Sequence, residues 1–187
     1  MATRNYTGIK KLNYLLEKNA GPEQYLFSVH GFSSVFHELS FPALKMLFKR
    51  AVDNDIFKRV CRGVYLYDKV DWPRGLLLYH TAAKLRNNTF NYISLESALS
   101  DAGIISQMPL QWLTLMSGGR SNQIDCGSWG TIEFVHTRQR PEELHTQLVY
   151  DRRCRLWRAT VSRAISDMKN CRRPLDLINW SVVDELV

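Results

Sequence analysis

Acidic pairs, histidines, cysteines and phosphate-binding loops are the residues that could do covalent chemistry here, and none of them forms a complete set. Asp125 and Glu133 fall on two adjacent apolar runs that a hairpin would bring together. A metal-dependent nuclease needs such carboxylates to hold the ion and a lysine to steady the developing charge. Two residues after Glu133 stands Val135, and no lysine is near. Both acids are therefore expected on the solvent side of their strands. Gly118-Gly119-Arg120-Ser121 lacks the strand, spacing and lysine of a phosphate-cradling loop. Ser117 and Ser121 have no His and Asp partners that spacing can set. His80 has no partner at metal-ligand spacing, which makes it a core or boundary histidine with one hydrogen bond. Cys61, Cys126, Cys154 and Cys171 lie far apart and make no CxxC, so buried, idle thiols are expected. The chain is expected to be no enzyme and to carry neither metal nor cofactor.

The cations are more informative. Lys and Arg number 25 against 18 Asp and Glu, a net charge of +7 in 187 residues. From Met1 to Asp71 there are 11 basic and 7 acidic residues, from Trp72 to Thr137 4 and 4, and from Arg138 to Pro174 10 and 4; the last 13 residues hold 3 acids and no base. Two basic blocks therefore flank a neutral centre. Such blocks suit nucleic acid, whose counterions they release. The length allows one large or two small domains with a real core. No apolar run approaches the ~20 residues of a membrane span, and the N-terminus shows no signal-peptide core, so a cytoplasmic protein without membrane contact is expected.

Ser40 to Tyr67 is the stretch that gives the first basic block a shape. Ser40 can cap a helix and Pro42 sits where a helix tolerates a missing donor. Leu44, Leu47, Phe48, Ala51 and Val52 recur at helical spacing and make one apolar face. Ala43, Lys45, Met46, Lys49 and Arg50 then face away. Beyond Asn54, Ile56–Cys61 and Val64–Tyr67 are β-rich runs around Arg62-Gly63, a tight hairpin turn carrying Lys58, Arg59 and Arg62. Alternation puts Tyr65 and Tyr67 on one strand face, with packing expected for one of them. A helix followed by a basic two-stranded wing is the plan of a winged helix-turn-helix, whose helix enters the major groove while the wing follows phosphates.

The remaining elements support that order. Ile9–Asn19 has a helical stripe ended by Ala20-Gly21-Pro22, and Tyr25–Val29 suits a short strand. Ser33–Leu39 predicts a short helix capped by Ser33 or Ser34, with Val35, Phe36 and Leu39 inward. Asp68–Arg74 connects to a second region. There Gly75–Arg86 predicts a helix, and Asn91–Ile105 a strand-to-helix passage with Ser94 as cap and Gly103 as exit. Gln111–Met116, Asn122–Cys126 and Thr131–His136 are strand candidates. Arg155–Lys169 predicts a helix with Trp157, Val161, Ala164, Ile165 and Met168 on one side. Arg152, Arg153, Arg155, Arg158 and Arg163 crowd its start and outer face as a possible second basic surface. Leu175–Val187 is a short amphipathic tail. The fold class is α+β: a winged helix-turn-helix over 1–71 and a small α/β domain over 72–187.

Three segments resemble the AbiEi-type antitoxins of bacterial type IV toxin–antitoxin systems. Arg59-Val60-Cys61-Arg62-Gly63-Val64-Tyr65 is similar to that family's wing. Tyr92-Ile93-Ser94-Leu95-Glu96-Ser97-Ala98-Leu99 is similar to its strand-to-helix segment, and Ala159–Met168 to a later helical motif in which Arg163 precedes Asp167. The resemblance implies a repressor that binds inverted repeats in its own promoter. It also implies a C-terminal part tied to protection against a nucleotidyltransferase-like toxin encoded next door, with or without a stable complex. The turn His37–Pro42 departs from the family's form.

Double-stranded promoter DNA is the expected partner, with Lys45, Lys49, Arg50, Lys58, Arg59 and Arg62 in contact. Two other readings fit the same residues. In one, the second basic block meets an acidic toxin surface and the winged helix is only a scaffold; in the other, the chain is a transcription factor with no toxin.

Overall fold

A computed structural model of the chain describes residues 2–105 and 111–186, with the side chains of 2–7 and 186 left aside. It is a mixed α+β protein that divides into two compact units, Met1–Gly75 and Leu76–Val187.

The first unit begins with helix α1 (Ala2–Asn19), which buries Leu12 and Leu16, and ends where Ala20-Gly21-Pro22 forbids another turn. Strand β1 (Leu26–Phe27) follows. The helix expected over 33–39 is instead one 3₁₀ turn, His30–Phe32, followed by hydrogen-bonded turns. Ser33 explains the difference. Its hydroxyl donates back to the His30 carbonyl at 2.7 Å, closing the turn where a cap would have opened a helix. Phe36 is buried as expected, whereas Val35 is exposed.

Helix α2 (Phe41–Asp53) forms over the expected stretch, and Ser40 Oγ accepts the Ala43 N–H at 3.4 Å. Strands β2 (Lys58–Cys61) and β3 (Val64–Leu66) then make the hairpin. Its turn uses Gly63 at φ +88°, a conformation that costs an L side chain about 1 kcal/mol or more. The sheet order is β1-β3-β2, antiparallel throughout, with Leu26 opposite Leu66 and Arg59 opposite Tyr65.

The second unit is built on a six-stranded mixed sheet. Helix α3 (Leu77–Leu85) leads into strand β4 (Asn91–Ile93) and helix α4 (Leu95–Asp101). Strands β5 (Trp112–Ser117), β6 (Asn122–Asp125) and β7 (Thr131–His136) fall on the expected runs. A single turn, α5 (Pro141–Leu144), precedes strand β8 (Leu148–Asp151) and strand β9 (Leu156–Ala159). Helices α6 (Val161–Asn170) and α7 (Trp180–Leu186) complete the unit. The order across the sheet is β6-β7-β5-β4-β9-β8, with β5 parallel to β7 and β4 parallel to β9.

Two expectations are corrected here. The helix predicted from Arg155 starts only at Val161. Residues 156–159 are drawn into the sheet by pairing on both sides, Tyr92 and Tyr150 each lying opposite Trp157. Thr160 then caps α6, its hydroxyl accepting the Arg163 N–H at 3.3 Å. Ser94 does not cap α4 with its hydroxyl. The start of that helix is tied to β5 instead, where Ser97 N–H donates to Thr114 Oγ1 at 3.1 Å and Thr114 N–H to Ser97 Oγ at 2.8 Å. The tail folds back onto this unit: Ile178 and Val183 are buried, and Asn179 N–H donates to the Ile104 carbonyl at 3.0 Å. No helix among the described residues is long and apolar enough to cross a membrane.

Gly63 and Gly130 give a paired test. A Cβ at Gly63 meets open space, whereas one at Gly130, with φ +116°, would overlap the Gln111 carbonyl beside β5 and β7. Gly63→Ala is expected to cost about 1 kcal/mol, the backbone penalty alone. Gly130→Ala is expected to cost about 3 kcal/mol or more, since strain and overlap add. Urea unfolding of both variants measures the difference; equal losses contradict this account of the β5–β7 junction.

Candidate nucleic-acid interface

Helix α2 is divided cleanly by burial. Leu44, Leu47, Phe48 and Ala51 face the core, and the Phe48 ring lies 5.5 Å from Phe32, 5.2 Å from Phe57 and 5.0 Å from Tyr65. With that face fixed, the 3.6-residue period turns Ala43, Lys45, Met46 and Lys49 to solvent. Met46, between two lysines on this face, is 49% exposed. Arg50, expected beside them, is half-buried. Lys45 Nζ rests 4.6 Å above the Phe41 ring, which places its charge at the first turn of the helix.

The hairpin presents Lys58, Arg59 and Arg62, all exposed. They are not equivalent. Lys58 is paired with Asp68 at 2.5 Å, so part of its charge is already answered. Arg59 Nε donates to the Cys61 carbonyl at 3.4 Å across a bulge between those residues, and Arg62 stands at the turn. Tyr65 is half-buried and Tyr67 buried, so the core takes more of both rings than a free wing face would.

Lys11 is occupied elsewhere in this unit. Lys11 donates to the Val35 carbonyl at 2.9 Å and pairs with Glu38 at 3.0 Å, tying α1 to the turns before α2. A backbone hydrogen bond, with help from Lys11, holds the Glu38 carboxyl below its ordinary range. His30, which sequence reasoning passed over, is exposed and lies against Phe41 with ring centroids 4.5 Å apart. Its only signal was a ring ten residues before a helix start, and no spacing rule reads that.

The second basic block does not form the surface expected of it. Arg163 is only 6% exposed and is paired with Asp167, which is fully buried. Asp167 Oδ2 also accepts from Tyr92 at 3.0 Å and from Ser94 at 2.7 Å. Burial, then the Asp167 charge, pushes the Tyr92 hydroxyl well above its ordinary pKa. Arg158 is half-buried between Asp101 and Asp151. Arg163 thus compensates a buried carboxylate, whereas Arg158 bridges two partly exposed ones. Arg152 and Arg153 remain exposed at the β8–β9 turn, with Arg155 half-buried beside them.

The enzyme candidates stay apart. In the β6–β7 hairpin Glu133 lies opposite Gln123, and Asp125 opposite Thr131. Glu133 is not solvent-facing as expected: Trp112 Nε1 donates to it at 3.3 Å and Arg173 at 2.6 Å. His80 is buried, its Nε2 donating to the Arg153 carbonyl at 2.7 Å. Cys61, Cys126 and Cys154 are buried, Cys171 is half-buried, and none of the four is in a disulfide. No group of three His, Cys, Asp or Glu that could hold a metal ion occurs among the described residues.

Asp151 gives this unit a pH dependence. Burial alone would raise its carboxyl, but the Cys154 thiol and backbone N–H and the Arg158 guanidinium outweigh that and hold it at about 2. A carboxyl lowered in the folded state adds stability that is complete above its unfolded pKa of ~3.9 and is lost as pH falls through about 2. Asp151→Asn is expected to be less stable than the parent at pH 6 and to show a flatter loss of stability between about pH 4 and 2. Parallel acid curves, followed by circular dichroism, contradict this.

No family model matches this chain, and no curated protein matches it.

Proposed function

We propose that the chain is a DNA-binding transcriptional repressor whose first unit is a winged helix-turn-helix, and that it acts as the antitoxin of a type IV toxin–antitoxin pair. The observation that carries the reading is the split of α2: an aromatic core on one side, and Ala43, Lys45, Met46 and Lys49 exposed on the other. A helix with that outer face, followed by an antiparallel hairpin bearing Arg59 and Arg62, suits a major groove and its flanking phosphates. In this reading Lys45 and Lys49 reach bases or phosphates, and Arg50 supports the helix end from a half-buried position. Arg59 and Arg62 grip the backbone, and Lys58 adds a weaker contact while it is shared with Asp68.

The antitoxin role rests on the likeness of three segments to AbiEi-type sequences. Tyr92, Ser94, Arg163 and Asp167, drawn from two of those segments, meet in one buried network. A shared network gives both segments a common structural reason to occur together. The role in protection is then assigned to the second unit, and promoter binding to the first.

Titration with DNA from upstream of the chain's own reading frame tests the promoter assignment, and co-expression with a toxin tests the antitoxin assignment. Lys49→Glu and Arg59→Glu are each expected to weaken binding to all sequences and to reduce the log–log salt slope by about 0.9 per lost phosphate contact. If Lys49 reads a base, its loss costs a further ~1–3 kcal/mol at one operator position. Co-expression with the product of a neighbouring nucleotidyltransferase frame should restore growth with both variants. Unchanged DNA affinity in both variants overturns the promoter assignment, and failure of the parent chain to restore growth overturns the antitoxin assignment.

A further inference from the structure

One cavity in the second unit belongs to none of the networks above. It has a volume of about 440 Å³ and opens where β4 and β9 begin side by side. Its floor is the polar loop leaving α3, with Asn87, Asn88 and Thr89. Its opposite wall carries Tyr150, Arg155 and Trp157.

Three features of this cavity point to one kind of occupant. Tyr150 and Trp157 stand directly opposite each other on β8 and β9, with ring centroids 5.4 Å apart at 67°. They are nevertheless 48% and 43% exposed, so two large rings are held in place and left open. A fixed, open ring offers a stacking surface at little entropic cost. The second feature is Asn91 on the cavity wall. Asn87, Asn88 and Thr89 line the cavity with it, so polar side chains border the rings. The third is charge: Arg155 lines the cavity, and the exposed Arg152 and Arg153 continue from it along the β8–β9 turn. Aromatic faces beside arginines, with amide groups across from them, bind bases and phosphates together.

The geometry points to a site for an unpaired nucleotide, its base stacked on Trp157, which Tyr150 braces edge-to-face, and its phosphate toward Arg155, with a single nucleic-acid strand continuing over Arg152 and Arg153. An acidic peptide would use the same arginines but not the two ring faces, which makes it the weaker fit.

Fluorescence anisotropy of the full chain tests this with a labelled single-stranded adenine decamer, as DNA and as RNA, and with adenosine monophosphate as competitor. The rings are exposed, so Trp157→Ala and Tyr150→Ala should leave the melting temperature nearly unchanged. Each is expected to weaken decamer binding by about 10-fold with the salt slope unaltered, because stacking is lost and phosphate contacts are kept. Tyr150→Phe, which keeps the ring, should restore binding. Arg152→Ser with Arg153→Ser should instead lower the salt slope by about 0.7 per contact. Competition by the mononucleotide at concentrations near the decamer's own affinity identifies a free nucleotide as the source. Competition only at far higher concentrations identifies a strand. Decamer affinity indifferent to Trp157→Ala overturns the proposal, since the charges of either unit would then explain the binding. So does an acidic decapeptide that displaces the decamer and itself loses affinity in Trp157→Ala. Absence of binding to any of these probes overturns it as well.

Discussion

The first unit depends on where Phe48 is anchored. Its ring meets Phe32 from the turn before α2, Phe57 from the entry to β2 and Tyr65 from β3, so one side chain fixes the helix against both neighbouring segments. Such ring pairs add about 0.5–1.5 kcal/mol each beyond the area they bury. More important here is the orientation they impose. A helix held by Phe48, Leu44 and Leu47 has no freedom to roll, and the direction of Lys45, Met46 and Lys49 follows from the 3.6-residue period alone. Positive charge on the helix and on the hairpin is thus a consequence of apolar packing underneath.

The second unit follows a different rule. Its sequence carries more cations than the first unit's, yet several of them are consumed by the fold. Arg163 answers Asp167, Arg158 answers Asp101 and Asp151, and Arg173 answers Glu133 with Glu96 nearby. The Arg163–Asp167 pair is the buried one of these, and removing one partner there costs more than the pair contributes, because the remaining charge is stranded. Net charge therefore overstates the free cationic surface here. What stays open is a turn with Arg152 and Arg153 and a cavity bordered by two aromatic rings.

The two units also differ in how far they could be read from sequence. In the first, the signals were local. Ser40 and Pro42 mark the start of α2, the apolar stripe marks its inner face, and Arg62-Gly63 between two β-rich runs marks the hairpin. The short helix over 33–39 failed because a serine hydroxyl can close a turn as readily as cap a helix. In the second unit, Leu156-Trp157-Arg158-Ala159 lies before Val161 at a spacing that fits a helix equally well, and only pairing with Tyr92 and Tyr150 decides for a strand. The Arg163–Asp167 spacing was legible as an ion pair. That it is buried under Tyr92 and Ser94, more than seventy positions away, was not, since no local pattern encodes a contact between a helix and a distant strand. Tyr150 and the cavity it borders left no periodic trace at all.

Amide chemical-shift mapping during titration with a double-stranded DNA fragment from the upstream region tests the central claim most directly. If α2 and the β2–β3 hairpin together engage the duplex, the largest shifts fall on residues 43–50 and 58–63 and collapse together as salt is raised. Shifts confined to α1, or to residues of the second unit, would contradict the account.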